Sequence, residues 1–287
     1  MTNDKEIVIA TVNINGLPTF YHPPDVDEVL IPYPVRHKAI CKLFENSNVD
    51  VINFQEVFTY RNLRLLKNNL PSYKYVLFVP YAFGPRGALV TFSKIPLGKV
   101  GYASYFSSAM EADRSNLPKL SLLRSTLKGM MVLQAKSLPL TIINTHLLYN
   151  VDLDWSPSSR SNSIQKAQLG KLEETTKAQY KLNPRNNVVV AGDLNVETGS
   201  ELIKGFLDAS SLYDFFEDDD KPSFHNEYVP SPKFRHRIDY LLTNNQKSAS
   251  ASGTRRIFTE KVKLANDQTV YLTDHQGLVV TMSLMGL

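Results

Sequence analysis

Apolar, β-branched runs recur along the chain, with stretches of three-to-four-residue apolar spacing between them. Ile7-Val-Ile-Ala-Thr-Val-Asn13 reads as a strand, and so do Val49–Glu56, Ala88–Phe92, Met130–Gln134, Leu140–Thr145, Asn187–Ala191, Ile238–Thr243 and Leu278–Met282. Several of these runs are continuously apolar rather than alternating, the pattern of strands covered on both faces. The helical spacing predicts helices over Val35–Asn46, just after Pro34, over Tyr60–Leu70, which stops before Pro71, over Ser161–Tyr180, and over Gly199–Ser210 after a polar turn. That many strands exceed one short sheet. The pattern therefore predicts an α/β fold of two packed sheets flanked by helices, with residues 1–287 as a single catalytic domain.

The polar residues that could carry chemistry share a placement, since each ends or borders an apolar run. Asn13 and Asn15 end the first. Glu56 ends Val51-Ile-Asn-Phe-Gln-Glu56, and His146 ends Thr141-Ile-Ile-Asn-Thr-His146. Asp193 and Asn195 follow Val188-Val-Val-Ala-Gly192, Asp239 lies in Arg235-His-Arg-Ile-Asp-Tyr240, and Asp274-His275 precede Gln-Gly-Leu-Val-Val280. Ligands at strand ends can converge at one sheet edge on a rigid scaffold. Carboxylates and amides are hard oxygen donors, and with no CxxC pair they favour Mg²⁺, Mn²⁺ or Ca²⁺ over zinc. The histidines add groups that titrate near neutral pH.

Composition narrows the setting. Of 287 residues, 43% are hydrophobic and 21% charged, so a large core needs no disulfide, and the lone Cys41 cannot form one within the chain. Cys41 lies in an apolar-periodic stretch and reads as a buried small hydrophobe. The net charge of +4 is mild and suits a polyanionic or membrane-surface substrate without demanding one; a dedicated nucleic-acid binder usually shows basic clusters, and here the longest adjacent basic pairing is Arg255-Arg256. The polar N-terminus is not a signal peptide and no apolar run is long enough to span a membrane, so a soluble, cytoplasmic monomer with peripheral membrane contact at most is expected. Asp218-Asp-Asp220 reads as a solvated turn, and Lys247-Ser-Ala-Ser-Ala-Ser-Gly253 as a flexible loop tip.

Six stretches in order carry a resemblance: Thr11-Val-Asn-Ile-Asn-Gly-Leu17, Gln55-Glu-Val-Phe58, Asn144-Thr-His-Leu147, Gly192-Asp-Leu-Asn-Val196, Arg237-Ile-Asp-Tyr240 and Thr273-Asp-His275. The sequence resembles the endonuclease/exonuclease/phosphatase superfamily, which includes deoxyribonuclease I and neutral sphingomyelinases. The resemblance implies a four-layer α/β sandwich with the site at one end of two sheets, hydrolysing a phosphoester by in-line attack of water with Mg²⁺. It implies Glu56 as principal metal ligand with Asn13 beside it and Asp274 assisting. Asp193 and Asn195 would position the phosphate and water, Asp239 would orient His275 as general base, and His146 would contact the phosphate. No activated Ser or Cys is present, so no covalent intermediate is expected.

For the substrate, Gln55-Glu-Val-Phe58, Gly87-Ala-Leu-Val-Thr-Phe-Ser-Lys94 and Lys128-Gly129 are similar to neutral sphingomyelinases, and the mild charge suits a phospholipid headgroup. A nuclease is the alternative, with Lys119, Arg124, Lys128, Arg235 and Arg237 on the phosphates. An inositol-phosphate phosphatase and a non-catalytic binding module are the further readings. Asn15, Lys128, Trp155 and Arg237 are the candidate substrate contacts. Trp155 reads equally as an interfacial or stacking residue and as core packing. The aromatic turn Val79-Pro-Tyr-Ala-Phe-Gly-Pro85 reads as a bilayer contact or a hairpin plug.

Overall fold

The β-branched runs pair into two six-stranded sheets. A computed structural model describes residues 6–16, 32–106, 128–150, 152–159, 161–224, 235–251, 253–264 and 267–284. In the first sheet, β1 (Glu6–Asn13) pairs in parallel with β2 (Val51–Gln55) and antiparallel with β14 (Gly277–Ser283). Next to β2 come β4 (Val90–Ser93) and the edge strand β3 (Tyr75–Leu77), and β11 (Gly253–Ile257) closes the other edge beside β14. The second sheet runs β5 (Leu97–Ser104), β6 (Gly129–Ala135), β7 (Leu140–His146), β8 (Asn187–Asp193), β10 (Asp239–Thr243) and β9 (Tyr213–Asp214). Its one parallel pair is β7–β8. A short hairpin of β12 (Val262–Lys263) and β13 (Thr269–Val270) stands apart.

Helices α1 (Tyr33–Glu45) and α2 (Tyr60–Asn69) cover the outer face of the first sheet. Helices α3 (Asn162–Leu182) and α4 (Glu201–Ser210) cover that of the second. The order helix, sheet, sheet, helix is the four-layer sandwich expected. The Thr59 hydroxyl caps α2 by accepting from Asn62 N at 3.1 Å, and Ser200 caps α4 through Ile203 N. Pro34 lies inside the first turn of α1 rather than before it, where a missing N–H costs no helical bond. The stretch read as a flexible tip is instead α5 (Gln246–Ala251) leading to β11, and buried Ser248 ties it to Asn245 and to the Ser283 carbonyl. The Asp218-Asp-Asp220 stretch ends a turn, and Asp219 pairs there with Arg256 at 2.6 Å.

Alternation along the strands sorts their side chains. Val8, Ala10 and Val12 pack outward under α1 and α2, where Phe54 meets Phe44 and Phe92 edge-on at 5.7 Å. Each such buried ring stabilises the fold by roughly 1.5–3 kcal/mol. Ile7 and Ile9 face the second sheet, against Ile142, Val189, Ala191 and Leu241. Toward one end this inter-sheet layer turns polar. Gln55 donates to Asn144 Oδ1 at 2.9 Å, and Thr91 donates to Asn53 Oδ1 at 2.9 Å. The same parity, one step further along, holds Asn13, His146, Asp193 and Asp239. An apolar centre thus gives way to a satisfied amide layer and then to the reactive groups.

Gly192 allows this end to close. Its φ is +156°, and a Cβ there would lie 1.9 Å from the Thr145 carbonyl oxygen. Gly192→Ala should therefore break the β7–β8 pairing beside Asp193 and cost on the order of 3 kcal/mol in urea unfolding. A loss below about 1 kcal/mol would contradict the close approach.

Candidate active site

Asp193, at the end of β8, is the point where the two sheets are joined. Its Oδ2 accepts from Asn13 Nδ2 of the facing sheet at 3.1 Å and lies 3.2 Å from His146 Nε2 and 3.9 Å from His275 Nε2. Its Oδ1 accepts from Asn195 N at 2.9 Å. The parallel register sets His146 directly beside Asp193, and the antiparallel register sets Asp239 opposite it. Asp239 Oδ2 lies 2.8 Å from His275 Nδ1 and accepts from the Ser223 hydroxyl at 2.7 Å. The Phe224 ring rests against His275 at 5.0 Å between centroids.

The first-sheet loops complete the cluster. Asn13 Oδ1 accepts from Asn15 N at 3.0 Å, and Asn15 Nδ2 donates to Asp274 Oδ2 at 3.1 Å. Thr273 donates to the Asn13 carbonyl at 2.7 Å. Buried Arg36 of α1 donates to the Asn15 and Leu272 carbonyls, drawing those two segments together. Glu56, Asn15 and Asn195 all adopt positive φ, between 45° and 65°, the left-handed geometry that re-aims a side chain as a strand ends. Glu56 is half-buried and close enough to His146 for its charge to act on that ring. Lys128 Nζ lies 2.7 Å from His146 Nε2. Asn195 donates its amide to the Leu147 carbonyl at 3.1 Å. The structure thus brings Asn13, Asn15, Glu56, Lys128, His146, Asp193, Asn195, Asp239, Asp274 and His275 to one end of the sandwich.

Two candidate substrate contacts have other work. Arg237 is 3% exposed, donates to Asp214 Oδ2 at 2.6 Å and to Thr198 Oγ1, and stacks over Tyr240. Its Nη2 is committed to that buried ion pair, and its Nε and Nη1 are buried without a hydrogen-bond partner among the described residues. Trp155 is 8% exposed, packed in the core beneath α3, and its Nε1 donates to the Asn195 carbonyl at 2.9 Å. It braces the loop carrying Asn195 from behind, which favours core packing over stacking on substrate. Lys119 and Arg124 lie outside the described residues. Sequence reasoning did not single out Ser223, Phe224 or Arg36, and it gave Thr273 no role of its own. Ser223 and Phe224 lie in an irregular segment with no periodic pattern to mark them.

Electrostatics separate the two histidines. Burial disfavours charge on His275, but the carboxylates of Asp239 and Asp193 outweigh it and push the ring up to about 10. Burial also opposes ionisation of Asp193, but the adjacent histidines hold its carboxyl well below the usual carboxylate range. Burial pushes Asp239 up. The proton of that pair belongs to the ring, which two carboxylates attract, whereas Asp239 Oδ2 already accepts from Ser223. His146 is driven the other way, by burial and then by the Lys128 ammonium. Near neutral pH the site therefore pairs a cationic His275 with a neutral His146 around an ionised Asp193.

The oxygen donors fit a divalent cation. Carboxylate oxygens of Asp193 and Asp239 lie within 4.8 Å of each other beside the His275 ring. Among the described residues, Asp239 Oδ1 and Asn15 Oδ1 are buried with no hydrogen-bond partner. Among the described residues the Glu56 carboxylate makes no hydrogen bond or ion pair. Unpaired, inward-facing oxygens of this kind are what a hard cation satisfies.

The chain matches the Endonuclease/Exonuclease/phosphatase family over residues 10–275. It belongs to that family. The family makes it a metal-dependent phosphoesterase, a hydrolase of ester bonds. No curated protein matches it in sequence. Among solved structures, truncated Caenorhabditis elegans TDP2 is 16% identical, with 97% of this chain and 98% of that one covered and a TM-score of 0.65. Sphingomyelinase C from Streptomyces griseocarneus is 18% identical over 97% and 100% of the two chains, TM-score 0.64. An endonuclease/exonuclease/phosphatase family protein of Bacteroides thetaiotaomicron is 12% identical over 99% and 100%, TM-score 0.65. At these identities the likeness is one of fold.

The His275 shift has a sign that can be measured. A raised folded pKa stabilises the protein fully below the ordinary histidine value of 6.5, and that stability is lost as the pH rises through about 10. In chelator, the unfolding free energy should fall across pH 7 to 10, and His275→Gln should flatten the decline. Equal slopes for the two proteins would show that the ring is not held protonated.

Proposed function

We propose that the chain is a Mg²⁺-dependent phosphodiesterase whose substrate is a phospholipid such as sphingomyelin. The observation that carries the lipid reading is where the exposed aromatic side chains gather. Among the described residues, four of the five large exposed aromatics stand at the site end: Phe83 (85% exposed), Tyr81 (56%), Phe106 (45%) and Tyr60 (38%). Strand register supports that position. β3 runs toward the end at which Gln55 and Asn13 finish, and β5 finishes beside Gly129 and His146. The aromatic hairpin between β3 and β4 is tied to the segment after Glu56 by Val57 N to the Ala88 carbonyl at 3.0 Å and Tyr60 N to the Phe83 carbonyl at 3.2 Å. The Arg86 guanidinium lies over Tyr102 at 4.9 Å and over Tyr81 at 5.7 Å. Exposed aromatic rings beside a cation suit the headgroup region of a bilayer. Among the described residues, no helix is long and apolar enough to cross a membrane.

A divalent cation held by Glu56, with Asn13 and Asp274 beside it, would supply charge neutralisation for the phosphate and the leaving oxygen; Mn²⁺ and Ca²⁺ share the oxygen preference of Mg²⁺. The protein's own groups divide the remaining work. Cationic His275, fixed by Asp239, faces negative charge on the phosphate. Ionised Asp193, with neutral His146 beside it, takes the proton of the attacking water. The resemblance gives the base role to His275; we assign it to Asp193, because the His275 Nδ1 faces Asp239 and the ring is held protonated between two carboxylates. Asn13 and Asn195 hold Asp193 in place.

A substrate panel with Mg²⁺ tests the reading: sphingomyelin and lysophospholipid vesicles, plasmid and abasic DNA, RNA and phosphoinositides. Hydrolysis of sphingomyelin vesicles is expected, abolished by chelator, with Glu56→Ala and His275→Ala each lowering it at least about a thousand-fold. Hydrolysis of DNA or RNA instead, falling steeply with salt, would replace the lipid reading with the nuclease one. Turnover confined to phosphoinositides would point to a phosphatase.

A further inference from the structure

We propose that Ser223, clamped in place by Arg256, is the positioning residue for the Asp239–His275 pair. Ser223 is fully buried, and its hydroxyl joins three groups. It donates to Asp239 Oδ2 at 2.7 Å and accepts from Ile238 N and Asp239 N at 3.0 Å each. The two backbone donors occupy its lone pairs, so its one proton is directed at the carboxylate. The oxygen that receives this proton is the same Oδ2 that meets His275 Nδ1 at 2.8 Å. Asp239 Oδ1 has no hydrogen-bond partner among the described residues. The Ser223 bond therefore decides which carboxylate oxygen the imidazole meets and leaves the other turned into the site. The Ser223 carbonyl accepts from Gln276 N at 2.6 Å, and Phe224 lies against the His275 ring, so this short segment grips both members of the pair.

Nothing in the periodicity of the 219–223 segment holds it there. Arg256, on edge strand β11, does. Its Nε donates to Asp219 Oδ2 at 2.6 Å, and its Nη1 donates to the Pro222 carbonyl and to Gln276 Oε1, both at 2.9 Å. Its Nη2 donates to the Lys221 carbonyl. One guanidinium thus staples the residues that lead into Ser223 to Gln276, the neighbour of His275, using a planar fork of donors that lysine lacks. Its side chain is only 8% exposed, although it belongs to the chain's most basic dipeptide. Arg255 beside it is exposed and bonds Asn48.

The proposal rests on the reading that the Asp239–His275 pair serves phosphodiester hydrolysis, and two readouts keep the questions apart. The first is the downfield proton resonance of the His275 Nδ1–H bond to Asp239, recorded in the resting protein and assigned by its absence in His275→Ala. It is observable whatever the substrate proves to be. The second is kcat against KM on a soluble phosphodiester such as bis(4-nitrophenyl) phosphate. Ser223→Ala should shift or remove the resonance and lower kcat about 100-fold with KM within about two-fold, and Ser223→Thr should restore both. Arg256→Gln should weaken the resonance and lower kcat about ten-fold. The double variant should be no worse than Ser223→Ala, because the two residues act in series. An unchanged resonance and kcat in Ser223→Ala would overturn the proposal. If that variant does not fold, Arg256→Gln decides alone, and wild-type values for both readouts would overturn it.

Discussion

A buried carboxylate shared between two sheets is the constraint from which the rest of this structure follows. Asp193 is withdrawn from water, and a buried charge persists only when it is paired and hydrogen-bonded. Its partners come from both sheets: Asn13 from one, and His146 and the Asn195 backbone from the other. The sheets must therefore meet at this end with their polar residues in register. The bulge-free β7–β8 pairing and the side-chain-free Gly192 permit that approach.

The same constraint sets the chemistry. The carboxylates of Asp239 and Asp193 raise His275 against its burial, whereas burial and then the Lys128 ammonium lower His146, so one site contains both a proton-bearing and a proton-free imidazole. Among the described residues, oxygens of Asp239, Asn15 and Glu56 remain without a hydrogen-bond partner. A site with excess hard acceptors and a cationic ring attracts a divalent ion and a phosphate together, which neither half would hold as well alone. The amide layer of Gln55, Asn144, Asn53 and Thr91 isolates this charged end from the apolar centre without leaving a gap in hydrogen bonding.

Much of this is legible in the sequence because strand parity is simple. Ile7, Ile9, Thr11 and Asn13 share a face, so a polar residue ending an apolar alternation marks the inter-sheet edge. Strands lacking that contrast were not legible. Leu97–Ser104 is interrupted by two glycines and a lysine, and Gly253–Ile257 is an edge carrying exposed threonine and arginine. The serine-alanine run of α5 looked like a loop because its stability comes from tertiary bonds of Ser248, not from amphipathicity. The buried settings of Arg237 and Trp155 are not legible for a related reason. Their partners, Asp214 and the Asn195 carbonyl, lie 23 and 40 residues away, and no local spacing announces such pairs.

The central claim is that groups from both sheets act as one hydrolytic centre around Asp193. A double-mutant cycle on Asn13→Ala and Asp193→Ala, read as kcat/KM on a soluble phosphodiester with Mg²⁺, tests it most directly. Coupling of at least about 1 kcal/mol between the two substitutions is predicted. Strict additivity, or activity retained by the Asp193 variant, would show that the meeting of the sheets is not where the reaction occurs.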